Sequence, residues 1–416
     1  MPSALPSGDP APVDGALPDA SRAEVGSRPL GLYLHVPFCR VRCGYCDFNT
    51  YTPTELRISS DSAVRGAGAD LGDTGDSYLE AALAEIDLAG RVLGVDAPAV
   101  STVFVGGGTP TLLASDDLVR LLGRVRDVLG LSDDVEVTTE ANPESVSPSS
   151  LADLRAGGFT RISYGMQSAV PHVLATLDRV HSPGRPLTAV AEARAAGFGQ
   201  VSLDLIYGTP GESTADWRQS LEVALSAEPD HVSAYALVVE DGTAMAGKVR
   251  RGELPAPDDD DLADKYLMAE EILTGAGYSA YEVSNWARRP DAACRHNLAY
   301  WRGDHWWGIG PGAHSHVGGT RWWNVKHPAA YATRLASGAS PAMAREILTD
   351  DDRRLEQVLL KIRLAEGMPL ERLSGRGRAR VSSLVARSLV TVADDWLRLT
   401  LNGRLLADAV VRELVD

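Results

Sequence analysis

Three cysteines stand close together near the start of the chain, and their side chains are well suited to binding a metal. Cys39, Cys43 and Cys46 have the spacing C-x3-C-x2-C, directly after the first predicted strand at 31–37. Thiolates on one loop can each bind one iron of a cubane [4Fe–4S] cluster. Because no fourth cysteine is near, one iron would stay open, and the amino and carboxylate groups of S-adenosylmethionine could chelate it.

Two other kinds of metal site also use clustered thiols. A structural zinc site needs four ligands, which usually come in pairs such as C-x2-C. This sequence has no second pair, since Cys294 lies far along the chain. A simple electron-transfer cluster would normally use four cysteines. The motif therefore favours a cluster with an open iron over both alternatives.

The elements that must position this loop alternate between strand and helix. Apolar runs rich in β-branched and aromatic residues predict six strands, at 31–37, 100–105, 135–141, 161–167, 201–207 and 231–239. Helical patterns lie between most of them, so a parallel sheet is expected. Six units are too few for a closed eight-stranded barrel. The predicted fold is α/β, a partial (β/α)6 barrel with ligand sites at the carboxyl ends of its strands.

The pattern divides the chain into four parts. Residues 1–28 are rich in Pro, Ala and Asp and predict a disordered tail. The partial barrel covers 29–285 with a flexible insertion near 57–76, and a His- and Trp-rich linking segment follows at 286–340. Residues 341–416 show an order of helices and a hairpin that resembles a small winged-helix domain.

Composition excludes several classes of function. The formal net charge of −16 argues against a nucleic-acid partner, and it favours a structural or substrate-covering role for the C-terminal domain over DNA binding. No apolar run approaches the roughly 20 residues that span a bilayer. Three of the four cysteines are clustered, which indicates metal binding in a reducing cytoplasm rather than a disulfide framework.

Several polar residues fall at predicted strand ends, where a ligand would bind. The glycine-rich loop at 106–110 lets the backbone approach a ligand, although a plain tight turn has the same composition. Glu140, Gln167 and Asp204 end or lie within the next strands. A helix-capping role for Glu140 and a structural Asp204–Arg179 ion pair are the alternatives.

Histidine and tryptophan are concentrated in the predicted linking segment. Four histidines and five tryptophans lie between His296 and Trp323. Histidine can ligate haem iron, and flat aromatic rings can stack on a porphyrin. A well-packed core is the ordinary explanation for any single one of these residues. Cys294 could ligate haem iron by its chemistry, but a buried free thiol is the simpler interpretation.

The cysteine motif, with Tyr45 between its last two cysteines, resembles the signature of the radical-SAM superfamily. The wider string at 32–39 resembles the family that contains oxygen-independent coproporphyrinogen III oxidase and a related haem chaperone. Two features favour the chaperone branch. Phe48 stands where the oxidase pattern has a further cysteine, and residues 295–301 contain the HNxxYW motif associated with the chaperone. The resemblance extends from about residue 30 to the C-terminus.

The resemblance implies specific site residues. It places a [4Fe–4S] cluster on Cys39, Cys43 and Cys46. It places S-adenosylmethionine on Tyr33, Tyr45, Gly107, Gly108, Thr109, Glu140, Gln167, Arg179 and Asp204. In the oxidase, the positions that match Gln167, Arg179 and Asp204 contact a second S-adenosylmethionine. Haem contacts are implied at His296, Tyr300 and Trp301.

The implied function is haem binding and delivery to respiratory-type acceptor haemoproteins in the cytoplasm. The implied partners are haem, the acceptors, an electron donor such as a flavodoxin or another reductant, and, through the acceptors, transiently a membrane. The alternative is an enzyme that decarboxylates two propionates of coproporphyrinogen III by 5′-deoxyadenosyl radical chemistry. The resemblance leaves enzymatic activity open, with the oxidase activity disfavoured. A radical enzyme that acts on an unrelated substrate is a third class.

Overall fold

The alternating strands and helices assemble into one long sheet. The structure is a computed structural model, and it describes residues 5–56, 71–179, 181–182 and 184–415. The strands of the long sheet are β1 (Asp9–Pro10), β2 (Leu30–Val36), β3 (Val100–Gly107), β4 (Leu131–Ala141), β5 (Arg161–Gln167), β6 (Gln200–Tyr207), β7 (His231–Ala236), β8 (Ser279–Ala280), β9 (Asn285–Ala287), β10 (His305–Ile309), β11 (His314–Val317), β12 (Thr320–Asn324) and β13 (Ala342–Ile347).

Helices connect these strands. They are α1 (Asp19–Ala23), α2 (Gly72–Leu93), α3 (Ser115–Leu129), α4 (Pro148–Ala156), α5 (Pro171–Thr176), α6 (Arg185–Ala195), α7 (Thr214–Ser226), α8 (Ala244–Arg250), α9 (Asp259–Gly275), α10 (Arg295–Arg302) and α11 (Pro328–Ala336). Helix α3 shows why they pack on the sheet. Its buried residues recur at helical spacing and form one apolar stripe: Leu118, Leu121, Leu122 and Val125.

The sheet order is β1-β13-β12-β11-β10-β2-β3-β4-β5-β6-β7-β9-β8. Strands β2 to β7 run parallel in chain order, and β10 joins them as a further parallel strand beside β2. Antiparallel strands extend both ends, and the sheet does not close on itself. The α/β class and the open, partial (β/α)6 barrel predicted from the sequence are therefore confirmed, with β10 as an addition.

The N-terminal segment differs from the predicted disordered tail. Within the described residues 5–28, strand β1 pairs with β13 and helix α1 follows. Leu17 and Val25 are buried in the main core, and this apolar burial offsets the entropy of ordering the segment. Most of the predicted flexible insertion, 57–70, lies outside the described residues. Its last residues, from Gly72, belong to helix α2.

The segment at 286–340, predicted as a linker, is part of the main sheet. It contains β10, β11 and β12, and β10 pairs with β2 in the register His305↔Leu30. Trp307 and Trp322 are buried and meet edge to face with ring centroids 4.8 Å apart. Strands β10 and β12 are hard to recognise in the sequence because most of their residues are buried, whichever face they lie on, so buried and exposed residues do not alternate strictly.

A small C-terminal domain follows β13, which itself belongs to the long sheet rather than to the predicted domain. Its elements are α12 (Asp350–Lys361), β14 (Met368–Pro369), α13 (Gly375–Ala386), β15 (Val390–Ala393), β16 (Trp396–Leu399), α14 (Leu401–Leu405) and α15 (Ala407–Val415). Its helices and hairpin have the predicted winged-helix-like order and enclose a separate apolar core. Arg404 pairs with Glu270 of α9 at 2.6 Å and joins the two domains. Across the described residues, no helix is long and apolar enough to cross a membrane.

Candidate functional site

A cavity of about 770 Å³ runs through the partial barrel, from the carboxyl ends of the parallel strands towards their amino ends. Its size is in the range of cofactor and ligand sites. With the exception of Trp301, all the predicted site residues line it: Tyr33, Cys39, Cys43, Tyr45, Cys46, Gly107, Gly108, Thr109, Glu140, Gln167, Arg179, Asp204, His296 and Tyr300. The topology therefore brings together residues that are far apart in the sequence.

The cysteine loop is fixed by backbone hydrogen bonds at its base and its tip. At the base, the Cys39 amide donates to the Tyr51 carbonyl at 3.0 Å. At the tip, the Gly44 amide donates to the Leu177 carbonyl at 3.2 Å, and the Met245 amide donates to the Gly44 carbonyl at 2.8 Å. The positions of the three thiols are therefore set by the scaffold, which limits the reorganisation needed when metal binds.

The loop presents free thiols in a setting that suits metal binding. Burial raises the pKa of Cys39 to about 12 and also raises the pKa of Cys46, so without metal these thiols are protonated. A bound metal displaces such protons, because the thiolate is the ligand. The Arg179 guanidinium donates to the Cys43 sulfur at 3.4 Å and places a positive charge beside it. These residues fit a cluster that carries negative charge on its sulfurs.

The three thiols do not converge on one point. Over the described part of the chain, no group of three or more His, Cys, Asp or Glu side chains is arranged around a single metal ion. A cubane does not need such convergence, because each thiolate binds a different iron.

The glycine loop after β3 packs directly against the cysteine loop. The Gly108 amide donates to the Val36 carbonyl at 2.8 Å, and the Thr109 amide donates to the Phe38 carbonyl at 2.7 Å. A Cβ atom on Gly108 would lie 2.4 Å from the Phe38 carbonyl oxygen and 3.0 Å from the Cys39 sulfur. Glycine is therefore required at 108 by the close approach of two backbones, which a plain tight turn would not demand.

We expect Gly108→Ala to weaken cluster retention. The added methyl group must displace the backbone beside Cys39, at a cost of about 1–3 kcal/mol for a rigid, overpacked contact. Iron and acid-labile sulfide content after anaerobic reconstitution measures the effect. Gly123→Ala is the matched control, because a Cβ atom there meets nothing within 4 Å and the position lies inside α3. Full cluster content in Gly108→Ala would contradict the prediction.

Glu140 reaches into the cavity from the end of β4. Its Oε2 accepts a hydrogen bond from the Gly107 amide at 3.2 Å, so it braces the glycine loop and does not cap a helix. Burial, together with the neighbouring Asp204 charge, raises the pKa of Glu140 to about 8. Near neutral pH this carboxyl group is therefore mainly protonated and can donate a hydrogen bond to a ligand as well as accept one.

Asp204 and Arg179 do not form the ion pair considered from the sequence. Asp204 accepts hydrogen bonds from Ser163 at 2.8 Å and Ser233 at 2.7 Å. Arg179 instead donates to the Gly165 carbonyl at 2.8 Å and to Cys43. Both charged side chains thus line the cavity with separate partners, as expected of groups placed for a ligand.

Two further predicted residues have distinctive settings. Gln167 ends β5 with a φ of 63°, in the left-handed region that a glutamine seldom adopts, and the β5–β6 register shifts just before it. Strain of this kind is often stored where a side chain is aimed at a ligand. The Tyr33 hydroxyl lies 3.0 Å from His35 Nδ1, and its ring stacks on Phe104. Tyr45 packs against the small apolar cluster around Val170, next to the cysteine loop.

Helix α10, which carries the HNxxYW motif, closes the cavity at the amino ends of the strands. Glu136 of β4 caps the helix by accepting hydrogen bonds from the Arg295 amide at 3.1 Å and the His296 amide at 3.0 Å. A carboxylate at this position also interacts favourably with the positive end of the helix dipole. The Cys294 thiol, which is buried as the sequence suggested, donates to Glu136 at 3.6 Å.

Both ring nitrogens of His296 have protein partners. Nδ1 lies 2.8 Å from Thr102 Oγ1, and Nε2 lies 2.9 Å from the Tyr300 hydroxyl. The ring is buried and stacked on Phe104, and burial lowers the pKa of His296 to about 3. Trp301 is half-buried outside the cavity. The motif therefore builds the floor of the cavity.

Several lining residues were missed by sequence reasoning. They lie in the lower half of the cavity, towards the floor: Thr138, Arg161, His231, Tyr281 and Asn297. The available signal was a charged residue, Arg161, at the start of an otherwise apolar predicted strand. A charge at a buried strand position needs a partner and so marks a site.

The chain is similar to proteins of known family and known structure. Residues 33–224 match the family model described as the radical SAM superfamily. The chain is 55% identical over 393 residues to a protein named heme chaperone HemW from Mycobacterium tuberculosis, covering 94% of this chain and 96% of that relative. It is 31% identical to heme chaperone HemW from Bacillus subtilis, covering 91% and 97%. The solved structure of coproporphyrinogen III oxidase (HemN) from Escherichia coli superposes with a TM-score of 0.79 at 24% identity, covering 95% and 92%, and shares the fold.

Proposed function

We propose that this chain, which belongs to the HemW haem chaperone family of the radical-SAM superfamily, binds haem and delivers it to acceptor haemoproteins. The observation that carries the proposal is the similarity to the mycobacterial haem chaperone, which extends over nearly the whole chain. Phe48, in place of the further cysteine of the oxidase pattern, supports it. The fold is common to both branches and does not separate them.

The radical-SAM cofactors are a [4Fe–4S] cluster and S-adenosylmethionine. We assign the cluster to Cys39, Cys43 and Cys46. We assign S-adenosylmethionine to Tyr33, Tyr45, Gly107, Gly108, Thr109, Glu140, Gln167, Arg179 and Asp204, which line the same cavity. When bound, the cluster supplies an electron for reductive cleavage of S-adenosylmethionine. The protein positions the ligands and places the Arg179 charge beside Cys43.

We further propose that His296 and Tyr300 support haem binding by shaping the cavity floor, whereas Trp301 of the same motif lies outside the cavity. Axial ligation by His296 would require that its hydrogen bond to Thr102 or Tyr300 be broken. Such a change leaves a buried polar group unpaired, at a cost of about 1–3 kcal/mol. If His296 only shapes the cavity floor, both of its hydrogen bonds remain intact.

The partners follow from the same proposal. Free thiols that must stay reduced favour the cytoplasm as the location of the protein. The electron donor would be a one-electron carrier such as a flavodoxin, or another reductant. The acceptors are respiratory-type haemoproteins, through which the chain would meet a membrane transiently. The acidic surface disfavours nucleic acid as a partner.

A haem titration of the anaerobically reconstituted protein tests the proposal, run beside a coproporphyrinogen III assay with S-adenosylmethionine and a reductant. We expect a saturable Soret band and transfer of haem to an apo acceptor haemoprotein. Conversion of coproporphyrinogen at the rate of S-adenosylmethionine cleavage would instead establish the oxidase alternative. Absence of haem uptake, together with S-adenosylmethionine cleavage on another substrate, would favour an unrelated radical enzyme.

The same haem titration tests whether the floor of the cavity contributes to haem binding. We expect His296→Ala to raise the haem Kd about tenfold, a loss of about 1.4 kcal/mol, because Tyr300 and Thr102 lose their common partner. The resonance Raman signature of the axial ligand should stay unchanged. His172→Ala is the control, since that histidine is exposed on α5. A changed axial signature in His296→Ala would show instead that His296 ligates the iron.

A further inference from the structure

The lower half of the cavity contains a pair of neighbouring polar residues with unused hydrogen-bonding capacity. Arg161 is the first residue of β5, and its register partner on β4 is Thr138. Both line the cavity. A strand rises about 3.3 Å per residue, so Arg161 lies about 20 Å along β5 from Gln167, which ends the strand near the cysteine loop. The pair therefore lies well away from the proposed cluster site.

Arg161 is a buried cation with only part of its guanidinium bonded. Its side chain is among the largest that are fully buried, with 2% exposure of the residue. Nη1 donates to Gln200 Oε1 at 2.6 Å and to the Ala292 carbonyl at 2.7 Å. Nη2 is buried and has no hydrogen-bond partner among the described residues. The first nitrogen anchors the side chain, and the second remains available to a ligand in the cavity.

Thr138 supplies a second unused group on the neighbouring strand. The residue is fully buried, and its Oγ1 has no partner in the described part of the structure. A hydroxyl group can donate one hydrogen bond and accept others. Two adjacent strands thus present a guanidinium N–H and a hydroxyl to the same cavity.

The groups around Arg161 do not neutralise its charge by a direct ion pair. Asp204 is held by Ser163 and Ser233, and Glu136 is held by the backbone of α10. Neither carboxylate comes within the 4.0 Å of Arg161 that defines an ion pair. Burying a cation without such a partner is costly, so an anion beside Nη2 would be strongly favoured.

The remaining neighbours are neutral or polar. His231 is buried between Ser202 and the Tyr281 hydroxyl, and burial together with the Arg161 charge holds its pKa well below the usual range. Burial raises the pKa of the Cys294 thiol to about 12. These described neighbours of Arg161 therefore add hydrogen-bonding groups to the wall and carry no positive charge of their own.

We propose that Arg161 and Thr138 form a binding site for a carboxylate group in the lower half of the cavity. The planar guanidinium presents its free N–H bonds in a geometry that matches a carboxylate, and Thr138 can donate to an oxygen of the same group. The carboxylate belongs either to a free short-chain acid or to the propionate arm of a porphyrin. The site does not depend on the proposed haem function, because the unpaired cation is a property of the chain itself.

Thermal denaturation of the reconstituted protein with propionate or with propionamide, at equal ionic strength, tests the site. The two probes have nearly the same shape and differ in charge. We expect propionate at about ten times its Kd to raise the Tm by about 1–2 °C and propionamide to have no effect. Arg161→Gln should abolish the shift, Arg161→Lys should retain part of it, and Thr138→Val should reduce it. Arg218→Gln, which removes an exposed arginine of α7, should leave it unchanged.

A second arm identifies the source of the carboxylate. Haem and haem dimethyl ester are titrated against the wild type and Arg161→Gln. A preference for haem of about tenfold in the wild type, lost in Arg161→Gln, assigns the site to a porphyrin propionate. A propionate-dependent Tm shift without that preference assigns it to a free acid, even if the chain binds no haem. If Arg161→Gln fails to fold, Thr138→Val serves as the test variant in both the thermal denaturation and the haem titration. The proposal is overturned if propionate shifts the Tm no more than propionamide and haem binds no more tightly than its dimethyl ester. It is also overturned if such differences appear but stay unchanged in Arg161→Gln and Thr138→Val.

Discussion

Cys43→Ser is expected to abolish the broad iron–sulfur absorption of the anaerobically reconstituted protein. The loop supplies three thiols from a rigid backbone, and Cys43 is the one that receives the Arg179 hydrogen bond. A serine hydroxyl has a much higher pKa than a thiol and ligates iron poorly, so two thiolates must hold a cluster that lacks its third anchor. Absorption spectra, iron and sulfide content provide the measurement, and Cys39→Ser and Cys46→Ser should behave alike.

Cys294→Ser is the matched control for this prediction. Cys294 is also a free, buried thiol that lines the cavity, but it lies at the floor, where it donates to Glu136. A serine hydroxyl can make the same hydrogen bond, so cluster content should equal that of the wild type. A full cluster in Cys43→Ser, or a lost cluster in Cys294→Ser, would show that the proposed ligand set is wrong.

The second large effect concerns a buried carboxyl group outside the cavity. Glu85 of α2 accepts hydrogen bonds from the Gly310 amide at 2.8 Å, from Asn324 at 2.8 Å and from the Tyr331 hydroxyl at 2.5 Å. It therefore joins α2 to β12, α11 and the loop after β10. Glu85→Ala removes the common acceptor of three buried hydrogen bonds, and we expect a loss of about 3–5 kcal/mol in the free energy of unfolding. Chemical denaturation followed by tryptophan fluorescence measures it.

The pH dependence of stability distinguishes the charge of Glu85 from its shape. Burial raises the pKa of Glu85 to about 7, although hydrogen bonds from Tyr331 and Gly310 oppose the shift. The stabilisation from protonating this group is fully present below its ordinary pKa of about 4.5 and is lost as the pH rises through 7. Glu85→Gln should therefore flatten the stability profile between about pH 4.5 and 7. An unchanged profile relative to the wild type would contradict the raised pKa.

Local patterns in the sequence were sufficient to predict the barrel and to bring the predicted residues to the carboxyl ends of its strands. The strands β2 to β7 are marked by apolar runs, and the cysteine and glycine loops directly follow β2 and β3. In a parallel sheet, the carboxyl ends of neighbouring strands lie at one edge. Cys39, Gly108 and Glu140 therefore had to meet once the strand order was known.

Contacts between distant parts of the chain could not be predicted in this way. Nothing local to residues 305–309 shows that they pair with β2, about 270 residues earlier, because pairing depends on which surfaces remain uncovered. The histidine motif illustrates the same limit. The composition around His296 suggests haem contact, but its hydrogen bonds come from Thr102 of β3 and Tyr300 of its own helix. The Arg161–Thr138 neighbourhood likewise arises from strand register alone.

The position of β10 also bears on when the cysteine loop can take its final form during synthesis. Strand β2, which leads into the cysteine loop, has β10 as one of its two neighbours. The loop is tied to the following turn as well, because the Asn49 side chain donates to the Pro311 carbonyl at 2.8 Å and to the Lys326 carbonyl at 2.9 Å. A nascent chain therefore cannot complete the cysteine loop until about residue 326 has left the ribosome. We therefore expect the proposed cluster to be loaded onto the loop only after that point, with the thiols kept reduced until then.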